Sequence, residues 1–396
     1  MPTEHCDVLI IGGGPAGLIA AGESARAAPR ASVVLVERDS QVGAPVRCGE
    51  GVGSAGLSEF IDPGREGSLA PWVARRITRV VFRAPDGSDV RVAEGDVGYI
   101  LDRWLFEPAI AAEAKQSGAD IRTGTDAVEM RRDGQRWRVV LNAAGSRSEI
   151  DARVVIGADG VESAVGRWAG IDTRVRARDM ESCAQYVVED GGIDADAIVL
   201  HFGSRVAPGG YAWVFPKGLR SANVGLGVLG LRAGGRSALA WLDDYVRAHF
   251  PNATVTGRTI GGVIVAPTLS HTVAEGVILC GDAAHMINPL SGGGIVNAMK
   301  SGRLAAETAV RALAAGNTGV RALESYHTRW MRLLGDDHVR FYQVKEALAR
   351  FDDAFYDALA RTVNRIPERR RTLRRIFGAA LVRHPSLLPV VAKYFV

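Results

Sequence analysis

Residues 7–28, close to the N-terminus, read DVLIIGGGPAGLIAAGESARAA and carry the clearest indication of the fold. The apolar run Asp7–Ile11 predicts a strand that is buried on both faces, as in a parallel sheet. Small side chains dominate residues 16–28 and predict a helix, and Ser32–Glu37 predicts a second strand. A strand, a tight turn, a helix and a second strand form a βαβ unit, so we predict an α/β, doubly wound fold.

The turn between the first strand and the helix has the spacing G-x-G-x-x-G over Gly12, Gly14 and Gly17. Gly12 permits the tight turn, Gly14 lets a pyrophosphate approach the backbone, and Gly17 lets the helix pack closely on the strand. The helix N-terminus adds free N–H groups and the positive end of a dipole. We therefore predict a Rossmann-like dinucleotide site that also includes Ala16.

Glu37 and Arg38 stand at the end of the second predicted strand, about 20 residues after the turn, where ribose is recognised in such folds. The Glu37 carboxylate can accept hydrogen bonds from both ribose hydroxyls and repels a 2′-phosphate. Arg38 can stack on adenine. The site therefore favours FAD or NAD over NADP, and the turn alone does not separate these two.

Strand patterns of the nucleotide-binding type recur near residues 155 and 278, and segments with antiparallel patterns lie between them. This order predicts two spatial domains built from interleaved stretches. The predicted parts are a nucleotide-binding domain from residues 1–75, 101–170 and 271–320, an antiparallel-sheet substrate domain from 76–100 and 171–270, and a helical C-terminal region over 321–396.

The composition is that of an ordinary globular protein, with 47% hydrophobic and 23% charged residues and a net charge of +4. The four cysteines, Cys6, Cys48, Cys183 and Cys280, are too far apart for a metal site and predict no disulfide framework. We expect no metal, no signal peptide and no membrane span, and hence a cytoplasmic protein for which peripheral membrane contact stays open.

Three further segments resemble one flavoprotein superfamily, which includes p-hydroxybenzoate hydroxylase, squalene epoxidase and the geranylgeranyl reductases. They are Leu101-Asp102-Arg103, Gly157-Ala158-Asp159-Gly160 and Cys280-Gly281-Asp282-Ala283-Ala284-His285. The resemblance implies that FAD is the resident cofactor, that Arg103 and Asp159 contact it, and that Asp282 binds its ribityl chain. Only the turn at residues 12–17 combines the G-x-G-x-x-G spacing with a predicted βαβ unit, so no second site for NAD(P)H is predicted, and an external donor such as NAD(P)H, ferredoxin or another reductant is expected.

Three more segments resemble the geranylgeranyl reductase family, especially its archaeal-type digeranylgeranylglycerophospholipid reductases. They are RCGEG at 47–51, YAWVFP at 211–216 with GLG at 225–227, and NPLSGGGI at 288–295. By this resemblance the flavin side of the site comprises Arg47, Cys48, Gly49, Gly292, Gly293, Gly294 and Ile295. The substrate side comprises Tyr211, Trp213, Phe215, Pro216, Gly225, Gly227 and Pro289.

Tyr211, Trp213 and Phe215 alternate along a predicted strand and therefore share one face. Periodicity alone favours core packing of that face, whereas the resemblance favours a wall for a long apolar chain. In the family the cysteine of the short loop lies beside the flavin, so Cys48 is predicted to orient the substrate or assist proton transfer. Glu50 is predicted to support this loop or the proton relay, and the other three cysteines to be inert.

The expected activity is FAD-dependent saturation of isolated C=C bonds in geranylgeranyl chains, with hydride from reduced flavin and a separate proton. His285 stands where geranylgeranyl reductases commonly carry glycine and aromatic hydroxylases carry histidine. A monooxygenase is therefore the first alternative, and a non-catalytic prenyl-binding carrier like the Rab GDP-dissociation inhibitors is the second.

The C-terminal region Gln343–Val396 is apolar and carries the basic block Arg365–Arg375 (RIPERRRTLRR). Such a segment can dock on a membrane that supplies a lipid, cover the core, or form a dimer seam. The basic block can also be a solvated helix face. No nucleic-acid-binding module accompanies it, and we expect no nucleic-acid partner.

Overall fold

The computed structural model describes residues 3–65, 67–92, 97–371 and 378 of the 396-residue chain. The chain divides into two compact units, each assembled from separated segments. The first contains Met1–Val46, Arg103–Val175 and Ala266–Val339, and the second contains Arg47–Asp102, Arg176–Val265 and Arg340–Val396.

In chain order, the strands are β1 Glu4–Ile11, β2 Val33–Val36, β3 Gly51–Gly53, β4 Gly64–Arg65, β5 Ser68–Leu69, β6 Val73–Ile77, β7 Arg79–Arg83, β8 Asp89–Val92, β9 Gly98–Leu101, β10 Asp120–Arg122, β11 Thr125–Asp133, β12 Arg136–Ala143, β13 Ser146–Gly157, β14 Met180–Glu189, β15 Ala197–His201, β16 Ala212–Pro216, β17 Ser221–Leu229, β18 Thr254–Ile264, β19 Val273–Ala274 and β20 Val277–Leu279.

The α-helices are α1 Pro15–Ala27, α2 Ser54–Leu57, α3 Arg103–Gln116, α4 Ala164–Trp168, α5 Ala238–His249, α6 Ile295–Ala314, α7 Val320–Trp330, α8 Asp336–Leu348 and α9 Asp353–Asn364. A π-helical turn, Met331–Gly335, joins α7 to α8. Within the described ranges, no helix combines the length and the apolar character that crossing a membrane requires.

The first unit is built on parallel strands in the order β10-β2-β1-β13-β20, and β12, β11 and β19 extend this sheet in antiparallel pairing. The buried, apolar β1 and β2 confirm the prediction from their continuous hydrophobic runs. Ile11 pairs with both Val36 and Gly157, and Gly157 pairs with Leu279. The loops that follow β1, β2, β13 and β20 therefore leave the same edge of the sheet, where nucleotides bind in this architecture.

The small residues of α1 let it pack closely against its neighbours. A Cβ at Gly302 of α6 would collide with the carbonyl oxygen of Ala16, and a Cβ at Gly22 would lie 3.3 Å from Ala114 of α3. The predicted helix is thus held between α3 and α6.

The second unit contains a seven-stranded sheet in the order β18-β14-β17-β16-β15-β7-β8. The sheet was predicted to be antiparallel, but β7 and β15 run parallel. Alternating hydrophobicity predicts that a segment is a strand but does not predict its direction. The direction of β7 relative to β15 depends on pairing between segments that are more than 100 residues apart. One face of the sheet packs its small aliphatic side chains, such as Ala212, Val214 and Leu226, against Leu242 and Tyr245 of α5.

Two segments group differently from the predicted domain boundaries. Residues 47–75 belong to the second unit, where β3 and β6 both pair with β9, and residues 321–339 belong to the first, where α7 packs on β19 and β20. The predicted helical character beyond 320 is confirmed as far as α9. The proposed apolar and basic positions at 372–377 and 379–396 lie outside the described residues.

Candidate active site

The glycine turn has the geometry that a bound pyrophosphate requires. Gly12 has a φ of +109°, and a side chain there would collide with the carbonyl oxygen of Ala158. Gly17 lies against the carbonyl oxygen of Gly12, so the helix can approach the strand closely. A Cβ at Gly14 would meet no atom within 4 Å, so the space beside this residue is open.

Glu37 follows β2 and lies directly beside this turn. Its carboxylate accepts hydrogen bonds from the N–H groups of Gly13 at 2.6 Å and Asp39 at 2.8 Å. Each oxygen keeps a lone pair that can accept from a ribose hydroxyl. Arg38 is exposed.

Asp282 follows β20 at the same sheet edge. Among the described residues, no group donates a hydrogen bond to its half-buried carboxylate, which lies near Gly294 at the start of α6. Burial raises the pKa of Asp282 to about 6, and the positive charge of Arg103 opposes this shift. An acceptor held without a donor fits a ligand that brings hydroxyl groups, as a ribityl chain does.

Arg103 begins α3 and forms an ion pair with the fully buried Glu107 one turn later. The loop before α3 packs closely on this helix. A Cβ at Gly43 in that loop would come within 3.1 Å of the Glu107 Cβ. The ion pair fixes the guanidinium on the side of the first unit where its charge acts on Asp282.

The predicted triglycine loop is closed by hydrogen bonds centred on Asn288. Its backbone N–H donates to the carbonyl of Gly293 at 3.0 Å, and its carbonyl accepts from Gly292 at 2.9 Å. Asn297 of α6 donates to the Gly293 carbonyl at 3.4 Å and lies 3.1 Å from Nε2 of the buried His338. Pro289 and Ile295 are buried at the two sides of the loop.

Asp159 follows β13, and its hydrogen-bond partners lie within the next six residues. Its carboxylate accepts hydrogen bonds from the Ser163 hydroxyl at 2.8 Å and from the N–H groups of Ala164 and Val165 at 2.7 and 3.0 Å. Burial raises the pKa of Asp159, and these hydrogen bonds oppose the shift. The side chain caps α4, so the predicted contact of Asp159 with the cofactor stays a prediction.

Taken together, the first unit fits FAD. It presents a pyrophosphate turn with open space at Gly14, a ribose acceptor at Glu37 and an unpartnered carboxylate at Asp282. That Glu37 disfavours a 2′-phosphate stays a prediction.

In the second unit the loop at 47–51 is held by side chains of the large sheet. Gln185 of β14 donates to the carbonyl of Cys48 at 3.0 Å, and Asn223 of β17 donates to the carbonyl of Gly49 at 3.3 Å. The half-buried Cys48 accepts a hydrogen bond at Sγ from the N–H of Glu50 at 3.2 Å. Arg47 is exposed.

Glu50 anchors this loop. Its side chain is 3% exposed, and its carboxylate accepts from Lys217 Nζ at 2.8 Å and from Asn223 Nδ2 at 2.7 Å. Lys217 also donates to the carbonyl of Leu101 at 2.8 Å. Of the two predicted roles for Glu50, these contacts favour loop support, because Lys217 neutralises the carboxylate and both donors hold its Oε2.

Trp213 and Phe215 of β16 and Tyr211, which directly precedes this strand, form a continuous row on one face, with neighbouring ring centroids 6.1 and 6.2 Å apart. Ala212 and Val214 point to the opposite face and pack against α5. The aromatic row therefore lies on the face of the sheet away from the α5 core. This arrangement favours the wall over the core packing that periodicity alone suggested.

Glycines make room for the row. A Cβ at Gly225 would come within 2.6 Å of the Trp213 ring, and one at Gly49 would come within 2.9 Å of the Phe215 ring. A Cβ at Gly227 would lie 2.7 Å from Oε2 of Glu181. The spacing G-x-G in β17 thus serves two different side chains from the two neighbouring strands.

Sequence reasoning missed Glu181, Gln185, Lys217 and Asn223. A signal was present for the first two, because Glu181, Cys183 and Gln185 alternate on β14 as the aromatic residues do on β16. Trp213 Nε1 donates to Gln185 Oε1 at 2.9 Å, which links the two rows.

Comparison with known proteins agrees with this geometry. An FAD binding domain matches residues 5–192, and a geranylgeranyl reductase catalytic domain matches residues 179–263. The digeranylgeranylglycerophospholipid reductases of Methanothrix thermoacetophila and Methanoculleus marisnigri are 39% and 40% identical to this chain. Each alignment covers 97% of the chain, and 98% and 97% of the respective relative. The chain belongs to the geranylgeranyl reductase family.

A solved geranylgeranyl bacteriochlorophyll reductase-like protein from Thermoplasma acidophilum superposes with a TM-score of 0.91 at 29% identity, over 99% of this chain and 100% of that one. A flavin-dependent brominase superposes at 0.70 with 17% identity, over 91% of this chain and 99% of that one, and shares the fold alone. This geranylgeranyl reductase family member is therefore an FAD-dependent oxidoreductase, as the sequence predicted.

His285, the departure from the family pattern, is a buried residue with a φ of +57° that ends a 3-10 turn after β20. The glycine that the resemblance led us to expect here would be favoured in this left-handed region. In this geranylgeranyl reductase family member histidine takes up the same backbone conformation.

Proposed function

We propose that this protein saturates isolated C=C bonds in the geranylgeranyl chains of a glycerol lipid. The observation that carries the proposal is the aromatic row of Tyr211, Trp213 and Phe215 on the face of its sheet away from the α5 core. Rings in a row offer a long apolar surface with little loss of side-chain entropy, which suits an extended isoprenoid chain.

Reduced FAD, when bound, supplies the hydride. Gly12, Gly14 and Gly17 hold its pyrophosphate, Glu37 binds the adenosine ribose, and Asp282 accepts from the ribityl hydroxyls. Arg103, Arg38 and the loop Gly292–Gly294 complete the predicted contacts, together with Ala16, Asp159 and Ile295. The N–H groups of the triglycine loop suit negative charge on a reduced ring.

The loop at 47–51 orients the alkene in this proposal. Gln185 and Asn223 hold the Cys48 and Gly49 carbonyls, so the backbone of the loop is fixed before the substrate arrives. Cys48, whose charge acts on Cys183 and Tyr211, positions the substrate on the aromatic row, and Glu50 supports the loop through Lys217. Pro216, Gly225 and Gly227 shape the space for the chain, and Pro289 stays a predicted substrate contact.

We also propose that an external reductant recharges the flavin and that the substrate arrives from a membrane surface. A lipid with two C20 chains partitions almost wholly into a bilayer. The described part of the basic block, Arg365–Arg371, is a source of attraction to anionic head groups. Co-sedimentation with anionic and neutral vesicles tests this step, and equal weak binding to both contradicts it.

The experiment for the main proposal is an anaerobic incubation. Protein with dithionite-reduced FAD is incubated with a geranylgeranylated glycerophospholipid, and the product is measured by mass spectrometry. Mass gains in steps of two hydrogens support the proposal. Trp213→Phe should lower turnover, whereas Trp241→Phe, a change on the α5 side of the sheet, is the matched control.

Flavin that stays reduced with no mass gain contradicts the proposal. The same mixture is then given oxygen and NAD(P)H, because a monooxygenase, the alternative that His285 favoured, adds oxygen to its substrate. A protein that binds the lipid without FAD and changes it under neither condition would instead be a prenyl carrier.

A further inference from the structure

Glu181 is a charged side chain that the proposed reaction has not used. It lies on β14 with Cys183 and Gln185, on the face away from the core in which Ala184 and Val188 are buried. Gln185 is bonded to Trp213 on the next strand but one, so the polar row of β14 and the aromatic row of β16 belong to one surface.

The Glu181 carboxylate lies above β17 at the tyrosine end of the aromatic row. Its Oε2 is 2.7 Å from the position of a Cβ at Gly227, and its Oε1 is 3.5 Å from that of a Cβ at Gly210. The N–H of Gly227 is bonded to the carbonyl of Tyr211 at 3.1 Å. Glycine at both positions leaves room for the acid beside Tyr211.

The carboxylate has no hydrogen-bond donor among the described residues. The cation that acts on it, Lys345 of α8, is bonded instead to the carbonyl of Val265 at 2.8 Å and lies 3.6 Å from Asp179 Oδ1. Lys345 therefore makes no hydrogen bond to Glu181 and acts on it through its charge alone. A half-buried acid with free oxygens faces the apolar surface.

The other protic groups on this surface are weaker acids. Burial raises the pKa of both Cys183 and Tyr211, and the negative charge of Glu181 raises each further. Burial raises the pKa of Glu181 to about 7, and Lys345 opposes that shift. An acid with a pKa near the working pH is the best compromise between being protonated and giving up the proton.

The geometry points to Glu181 as the catalytic acid that delivers a proton to the alkene held on the aromatic row. This inference rests on the proposed reductase function. The π bond breaks, the hydride from reduced FAD forms one C–H bond, and the Glu181 O–H proton forms the other. Reduced FAD, when bound, would lose two electrons and become FAD, the alkene would gain two, and the Glu181 carboxylate would regain its proton from solvent.

The test compares Glu181→Gln with Glu189→Gln, an exposed carboxylate on the same strand. Substrate-dependent oxidation of reduced flavin is followed anaerobically between pH 5.5 and 9, with product mass as the second readout. We expect the wild-type rate to fall above a pH of about 7, as the acid loses its proton. Glu181→Gln should be at least about 100-fold slower and lack this fall, while Glu189→Gln follows the wild type.

Flavin content and far-ultraviolet circular dichroism show whether each variant is folded. Glu181→Asp is the second variant: it keeps an acid and should retain a pH-dependent rate at a reduced level. A Glu181→Gln protein within threefold of wild type, with the pH dependence intact, overturns the assignment and leaves the reductase function standing. A wild-type protein that yields no reduced lipid overturns both.

Discussion

The indole ring of Trp213 lies directly over Gly225 of the neighbouring strand, and no side chain fits between them. A Cβ at residue 225 would come within 2.6 Å of the ring and within 2.7 Å of the Ala184 carbonyl oxygen. The two residues face each other in the register of β16 and β17. The position of the central aromatic ring therefore depends on the absence of a side chain on the next strand.

Gly225→Ala should displace the indole and lower both turnover and stability. Overpacking of this kind costs about 1–3 kcal/mol in the free energy of unfolding. Gly261→Ala on β18 is the control, because its Cβ would meet only the Arg47 Cβ, at 3.8 Å. Thermal unfolding and lipid reduction are measured for both, and equal melting temperatures would contradict the close packing of Trp213 and Gly225.

The Glu50–Lys217 pair should contribute strongly to stability because Glu50 is buried and Lys217 is mostly so. Glu50→Ala leaves the ammonium without its carboxylate and should lower the free energy of unfolding by about 3 kcal/mol. A double-mutant cycle with Lys217→Met should give a coupling energy of about 1–3 kcal/mol. Asp172→Ala, which breaks the exposed Arg174 pair, should change the free energy of unfolding far less than Glu50→Ala does. A coupling energy near zero would show that the loop is anchored otherwise.

Asp282→Asn should stabilise the protein without FAD at pH 8 and weaken FAD binding. The folded-state pKa of about 6 is above the ordinary 3.8, so the folded protein holds the proton more tightly than the unfolded chain. This group's contribution to stability is therefore greatest at low pH and is lost as the pH rises through 6. The substitution should raise the melting temperature of FAD-free protein most at pH 8, less at pH 5, and little below pH 3.8.

FAD binding is followed by quenching of flavin fluorescence. The amide offers a poorer acceptor for ribityl hydroxyls, so the dissociation constant should rise at least tenfold. An Asp282→Asn protein that loses stability at pH 8 without FAD would show that the carboxylate has a structural partner.

His201 should make the second unit sensitive to acid. It is 3% exposed and packs between Tyr245 and His249, and burial, then the positive charge of His249 and of Arg83, lowers its pKa from 6.5 to about 4. The contribution of neutral His201 to the free energy of unfolding is complete above pH 6.5. It is lost as the pH falls towards 4, and the loss is at most about 3 kcal/mol. His201→Leu should flatten this part of the denaturation profile, whereas exposed His271→Leu should not. If the stability of His201→Leu depends on pH between 4 and 6.5 as the wild type does, groups other than His201 cause that dependence.

The FAD half of the site was predictable because its signals are local. The G-x-G-x-x-G turn and Glu37 lie within one βαβ unit, and their spacing imposes the geometry that the structure shows at Gly12 and Gly13. Asp282 was found only by resemblance, since a single aspartate after a strand has no distinctive spacing. Its unpartnered carboxylate became visible only in the folded chain.

The substrate half was less predictable. Alternation showed that Tyr211, Trp213 and Phe215 share a face, but α5, which begins 22 residues after Pro216, decides which face is the core. Glu50 had two open roles until Lys217, 167 residues further on, supplied its partner. The parallel pairing of β7 with β15 was missed because it joins two segments that are more than 100 residues apart in the chain.

The doubly wound fold, the dinucleotide turn and the family could all be established from the amino-acid sequence, because they depend on short spacings and on the period of buried residues. The folded chain was needed to establish that Glu50 is neutralised by Lys217 and that Glu181 has free oxygens on the aromatic face. The pKa and the pairing of a carboxylate depend on desolvation and on charges within a few ångströms. Both are set by segments far apart in the chain, so no local pattern records them.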